Sequence, residues 1–205
     1  MGGESVYSVA RMLGQLLIIG YFLTFLFETD SAWLVVGVLS VMVIASSWIA
    51  LRTVRDLRRS HFVMAFWALL LGGGINLALI TSGVLQLDPW YEPRYMIPLA
   101  GMIFSNSMSA ISLAAERFVT ETDRGETYID ARSTAFKTSL IPVINSLFAV
   151  GLVALPGMMT GQILSGVSPL IAARYQIMVM CMLFAASGMS AAIYLWMLRP
   201  KGQQG

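Results

Sequence analysis

The sequence predicts an all-α, polytopic membrane protein of six transmembrane helices, the fifth broken at a Pro-Gly, with both termini cytoplasmic. Three observations predict it. Hydrophobic residues make up 57% of the 205-residue chain and charged ones only 12%, against roughly 25% charge in soluble domains. Residues 12–27, 31–51, 62–87, 96–115, 139–166 and 175–198 contain no Asp, Glu, Lys, Arg or His, and about 20 apolar residues cross a bilayer as a helix. The 13 Lys and Arg residues then sort by segment, Arg94 and Arg174 to one side of such a bundle and the other eleven to the opposite side. Bases in short loops favour the cytoplasm, so the base-rich side is expected to be cytoplasmic. The expected location is the plasma (inner) membrane. The spans consume most of the length, so residues 1–205 read as one transmembrane domain with no soluble one beside it.

Span one covers 7–27. Arg11 lies near its start, and a snorkelling arginine stem can sit at the interface, which lets the helix begin near Tyr7. No small-x-small cleavage site follows the apolar run, which argues against a cleaved signal peptide. Val6 stands where a myristoylation site wants Ser or Thr. Glu28 and Asp30 make a base-free connection to span two, 31–51. Arg52, Arg55, Arg58 and Arg59 then lead into span three, 62–87, whose middle holds Gly72-Gly73-Gly74 and Asn76. Span four, 96–115, carries a polar stripe of Ser105, Asn106, Ser107, Ser109 and Ser112. Small residues let membrane helices approach closely, so packing is the favoured reading for the glycines and serines. Trp33, Trp90, Tyr91, Tyr95 and Tyr175 fall at the outer interface, and Trp48 and Trp196 at the inner one, as amphipathic rings should.

Segment 116–138 is the longest soluble stretch, with four bases and five acids. Gly125 divides an acidic part, Glu116 to Asp123, from a helical one opened by Thr127-Tyr128-Ile129-Asp130. That tetrapeptide fits a capping box, in which Thr accepts from the third residue's amide and Asp reaches back. Tyr128, Ala131 and Ala135 share one face of the helix, with Ile129, Ser133 and Phe136 beside them. Nothing punctuates the run into span five, so cytoplasmic and membrane helix should be continuous. A partner pushing on the segment would move the membrane part. A helix lying on the lipid interface fits the same pattern.

Span five, 139–166, holds Pro142, Asn145, Ser146 and then Pro156-Gly157-Met158-Met159-Thr160-Gly161-Gln162. A proline removes a backbone donor and clashes one turn back, and glycine lowers helix propensity. Broken helix at membrane depth is tolerated where protein or a water-filled cavity lines it. Asn145, Ser146, Pro156, Gly157, Met158, Met159 and Gln162 are therefore candidate pathway or gate residues. Gly157 and Gly161 also read as a GxxxG packing pair. Span six, 169–198, contains Cys181, which reads as a small buried hydrophobe.

The chemistry that is missing narrows the function. No G-x-x-x-x-G-K-[ST] occurs, so the chain has no P-loop of its own. There is no H-E-x-x-H, and His61, the single histidine, reads as a solvated boundary residue. The 14 methionines, Met158, Met159, Met178, Met180, Met182 and Met189 among them, suit soft metals but more often fill irregular gaps, and no metal site is assigned. No catalytic residues are expected. Ion-driven transporters usually keep ionisable residues in their spans, and the six charge-free stretches hold no acid, base or histidine. A net charge of +2 gives no reason to expect nucleic acid. A passive channel, a scaffold, or a translocation subunit driven by another chain remains.

The strings Ser139-Leu-Ile-Pro-Val-Ile-Asn-Ser146, Val150-Gly-Leu-Val-Ala-Leu-Pro-Gly-Met-Met-Thr-Gly-Gln-Ile-Leu-Ser-Gly166 and Ser168-Pro-Leu-Ile-Ala-Ala-Arg-Tyr-Gln-Ile-Met-Val-Met180 carry a family resemblance. Gly14-Gln15-Leu16, Gly101-Met102 and Asn106 to Ser109 fit the same pattern, so the likeness covers nearly 11–198. The chain resembles the permease subunits of ABC transporters related to the bacterial iron exporter FetB and the plant aluminium-tolerance permeases. The resemblance implies a permease paired with a separate ATP-binding subunit, two copies of each. ATP and Mg would bind that partner, and this chain would bind no cofactor. It implies that segment 116–138 docks the ATPase, for which Tyr128, Asp130 and Arg132 are the candidates. It implies export of a metal ion, iron-like, or a metal-linked solute. The alternative is an ATP-independent channel or scaffold. Many members carry a further hydrophobic helix ahead of the position matching Arg11. Many also have a Leu-Gly-Ala-Thr/Ser-Pro stretch where Asp123–Glu126 stands here.

Overall fold

The computed structural model describes residues 2–27 and 31–198. Glu28, Asp30, Arg199 and Lys201 lie outside the described residues. Among the described residues seven α-helices follow one another: α1 Gly2–Phe27, α2 Ala32–Ala50, α3 Arg58–Ala78, α4 Pro93–Asp123, α5 Tyr128–Ala149, α6 Gly157–Leu164 and α7 Pro169–Met197. A short 3₁₀ turn, Arg55–Leu57, precedes α3, and a π-helical turn, Leu79–Val84, extends it. No strand occurs among the described residues, so the expected all-α class stands. Among the described residues four helices are long and apolar enough to cross a membrane: α2, α3 with its flanking turns, α4 and α7.

Several boundaries move relative to the sequence expectation. α1 begins ahead of Tyr7 and carries Arg11 exposed on its surface. α3 starts inside the arginine cluster, at Arg58, rather than at 62. α4 runs eight residues past Ala115, so the acidic stretch to Asp123 is helix rather than loop. The tight turn is only Arg124–Thr127, with Gly125 at φ +87. α4 and α5 therefore leave the apolar zone together as a helical hairpin.

α4 is the central element, packed against α2, α3, α5 and α7, while α7 in turn packs against α3, α5 and α6. Ile103, Phe104, Ala110, Ile111, Ala114 and Ala115 of α4 are buried in that core. α3 meets its neighbours through glycine, as the packing reading expects. A Cβ on Gly72 would fall 2.7 Å from the Ser190 backbone nitrogen, and one on Gly73 would fall 2.9 Å from Phe104 Cε1. Gly74 has nothing within 4 Å and does not share the role. α1 packs lightly against α4, buries Leu26 and leaves Leu17, Ile18 and Tyr21 exposed. Such apolar outer faces are what a helix presents to hydrocarbon.

Other packing expectations need correcting. Ser105 and Ser109 are exposed and donate to their own helix, at the Met102 and Ser105 carbonyls, rather than admitting a neighbour. Ser107, between them, is the buried one. A Cβ on Gly157 or Gly161 would meet nothing within 4 Å, so their spacing packs no helix of this chain. Cys181 is exposed on the outside of α7, not buried. His61 is half-buried and shares a 2.9 Å hydrogen bond with the hydroxyl of the fully buried Tyr194. A residue expected to be solvated thus ties α3 to α7.

Candidate functional site

The fifth apolar stretch is not one helix. α5 ends at Ala149, the chain unwinds through Val150–Leu155, and Pro156 is the N-cap of α6. The interruption thus begins ahead of the Pro-Gly pair. Gly151 at φ +81 makes the first turn, in a region that favours glycine. The freed backbone is satisfied locally: the Ala149 carbonyl accepts from the amides of Leu152, Val153 and Ala154, at 3.2, 2.9 and 3.2 Å. Leu152 and Val153 are left 89% and 86% exposed at the tip. At eight residues α6 is about 12 Å long, well short of a bilayer crossing.

The candidate gate residues divide into two groups. Asn145 and Ser146 are exposed on the last turn of α5, and the Ser146 hydroxyl donates to the Pro142 carbonyl at 3.0 Å, patching the helix beside its proline. Pro156 caps α6 and Gly157, Met158, Met159 and Gln162 sit on it, and α6 packs on α7. Met158 rests against the core, and the buried Oε1 of Gln162 has no partner. A second carboxamide oxygen, Oε1 of the buried Gln176 on α7, is also unpartnered. Polar groups buried without partners are uncommon and call for an explanation such as water or a ligand. Among the described residues no three of His, Cys, Asp and Glu come together to hold a metal ion.

The opposite end of the bundle gathers the bases. Glu121, buried near the end of α4, is held by Arg117 at 2.6 Å and Arg124 at 3.3 Å. Arg58 closes the α2 terminus by donating Nε and Nη2 to the Trp48 carbonyl, at 3.0 and 2.6 Å, with its guanidinium 3.7 Å over the Trp48 ring. Cations are favoured at helix C-termini and over indole faces. The α5 N-terminus is capped by Thr127, whose oxygen accepts from the Asp130 amide at 3.3 Å. The second half of the expected box differs: the Asp130 carboxylate accepts from the Thr127 hydroxyl at 2.6 Å rather than reaching back to its amide. Thr127→Ala should cost about 1 kcal/mol, read as about fivefold faster hydrogen exchange at the amides of the first α5 turn.

The docking candidates have distinct surroundings. Tyr128 is half-buried, donates to the Leu195 carbonyl at 2.9 Å and packs edge-on against Phe118, so it braces the hairpin onto α7. Asp130 is exposed and engaged in the cap. Arg132 is exposed, 5.7 Å over the Tyr128 ring, and lines a groove of about 550 Å³ between α5 and α7. Ile129, Ser133, Phe136 and Trp196 line it too. The first three are the flanking face expected from periodicity, while Ala131 and Ala135, on the face expected to be shared with Tyr128, are buried. None of the gate candidates lines this groove, a second cavity of about 480 Å³ between α2 and α4, or a third of about 430 Å³ beside α3 that includes Gly74.

The sequence matches the uncharacterised protein family UPF0014 over residues 1–201. The chain belongs to the UPF0014 family. It is 33% identical to the UPF0014 membrane protein slr1647 of Synechocystis, over 92% of this chain and 78% of the relative. It is likewise 33% identical to the probable iron export permease protein FetB of Escherichia coli, over 93% of this chain and 78% of that one. The protein ALUMINUM SENSITIVE 3 of Arabidopsis thaliana is 33% identical, over 97% of this chain and 77% of its own length. No solved structure matches. The expected family resemblance is thereby shown, and with its apolar helices this UPF0014 member is a multi-pass membrane protein.

Sequence reasoning missed the groove, because Trp196 belongs to it only through the packing of α7 on α5. It also missed Gln176, although a carboxamide inside an apolar run is itself a signal of function. The His61–Tyr194 bond joins residues 133 positions apart and leaves no local trace.

Proposed function

We propose that this chain is the membrane permease subunit of an ABC transporter, exporting a metal ion or metal-linked solute on ATP hydrolysed by a separate subunit. Six crossings are α1, α2, α3, α4, the α5–α6 pair and α7, with both termini and the α4–α5 hairpin on the cytoplasmic side of the plasma membrane. A second copy completes the translocation unit. The single observation carrying this reading is the course of α5. It runs unbroken from the groove at the base-rich end to the unwound segment at Val150. Force applied at Arg132 has a rigid route to Ala149. The six charge-free stretches hold no Asp, Glu, Lys, Arg or His with which to use an ion gradient, and the FetB relative is named an iron export permease. Gln162, with its unpartnered oxygen beside the break, is the gate residue with most to offer a passing polar solute.

The docking surface is the groove of Ile129, Arg132, Ser133, Phe136 and Trp196, with Tyr128 and Asp130 holding its shape. Co-expression with the P-loop ATPase encoded nearest to this reading frame tests it. Arg132→Glu should reduce co-purification of that ATPase at least tenfold, the effect of roughly 1.4 kcal/mol, while gel-filtration behaviour stays unchanged. Undiminished recovery with Arg132→Glu and with Trp196→Ala would refute docking at this groove.

A further inference from the structure

The cavity between α2 and α4 lies apart from both the hairpin groove and the broken helix. Its polar lining is Arg52, Thr53, Ser109 and Ser112. The Thr53 hydroxyl lies 3.3 Å from the Ser112 carbonyl and 3.4 Å from the Ser112 hydroxyl, which joins the end of α2 to α4 and fixes the floor. Arg52 is exposed, and among the described residues no carboxylate lies within ion-pair distance of it. Its neighbour Arg58 differs, being consumed by the Trp48 carbonyl and ring. The remaining walls are apolar: Ile49, Met108 and Leu113. A free guanidinium and rotatable hydroxyls thus sit over hydrocarbon-compatible side chains, just past the end of a membrane-length helix.

We infer that this cavity binds a phosphate ester, and specifically the headgroup of an anionic phospholipid. A phosphodiester carries one negative charge and accepts several hydrogen bonds, which the planar guanidinium meets in bidentate fashion. The Ser112 hydroxyl, and Ser109 once it turns from the Ser105 carbonyl, supply further donors. The glycerol and acyl chains then lie along Ile49 and Leu113, where a soluble phosphate has nothing to contact. Charge agrees with the choice. Residues 52–59 hold four arginines against the lone acid Asp56, and anionic lipids collect beside such clusters. A quaternary-ammonium headgroup would bring its cation up to Arg52, so phosphatidylcholine is disfavoured.

Native mass spectrometry of the full chain, released from vesicles of equal phosphatidylcholine and phosphatidylglycerol, tests the site. The wild type should retain phosphatidylglycerol about fivefold over phosphatidylcholine, the discrimination one surface base supplies. Arg52→Gln should bring the ratio to parity. Arg55→Gln removes the same charge outside the cavity and should keep the preference. Ser112→Ala, which changes no charge, should lower it. Parity in the wild type, or a preference surviving Arg52→Gln, would overturn the assignment. A delipidated sample in neutral detergent, titrated with inorganic phosphate, separates the two sources. Weak or absent binding is expected, and saturable submillimolar binding would reassign the cavity to a soluble phosphate ester.

Discussion

Replacing Gly72 by leucine should force α3 and α7 apart and strongly destabilise the folded protein. A Cβ there would meet the Ser190 nitrogen at 2.7 Å and its Cα at 2.8 Å. These are backbone atoms of a core helix, so no rotamer change relieves the clash. Overpacking of this kind costs about 3 kcal/mol, or roughly 10 °C in Tm for a chain of this size. Ser190 is itself fully buried, so separating the helices also opens a gap around Tyr194 and its bond to His61. Gly74→Leu provides the contrast. That position faces open space in the cavity beside α3, and the substitution should leave Tm within a few degrees. Thermal unfolding in detergent, followed by fluorescence size exclusion, reads both. Equal stability of the two variants would show that α3 and α7 do not meet through Gly72.

Glu121→Gln should loosen the α4–α5 hairpin by about 2 kcal/mol, less than a fully buried pair because Arg117 and Arg124 both reach solvent. The carboxylate serves two guanidiniums at once, and the neutral amide keeps the shape while removing the charge that holds them. Arg117 Nε is already without a partner in the folded protein, so losing Glu121 leaves that side chain with fewer acceptors still. Hydrogen exchange at the amides of the last α4 turn should accelerate about thirtyfold. A double-mutant cycle with Arg117→Gln measures the coupling, and a coupling of zero would remove the ion pair from the account. The same Glu121→Gln variant is expected to retain the membrane bundle intact, since the α4 core residues Ile103, Phe104, Ala110 and Ile111 lie two or more turns away along the helix.

Much of the architecture was legible because the membrane imposes a strict code. Charge is excluded from the hydrocarbon, so gaps between charged clusters mark helices directly, and α2 and α7 fall within one or two residues of expectation. The ends of helices were less visible. Glu116, Arg117 and Glu121 carry α4 beyond the apolar zone because an i,i+4 pair supports helix in water as well as anywhere. Hydropathy reports where the membrane stops, not where the helix does. The break in the fifth stretch was anticipated from Pro156 and Gly157, but its start at Val150 was not. Gly151 supplied the needed left-handed backbone, and a lone glycine in an apolar run looks the same whether it packs or turns. The face of α5 that forms the groove was readable from periodicity, whereas its far wall on α7 was not, since pairing between distant helices is a tertiary fact. Glycine spacing misled at Gly157 and Gly161, where the pattern fits but no neighbour approaches.

α5 spans 22 residues, about 33 Å, as a single rod packed against α4 and α7, with its last buried residue at Val143. A rod of fixed length rocking on such a fulcrum would behave as a seesaw. On the proposed transport role, inward travel of its foot at Tyr128 would become outward travel of its head at Ala149. Constriction at one face of the bilayer and widening at the other would then be two views of the same tilt.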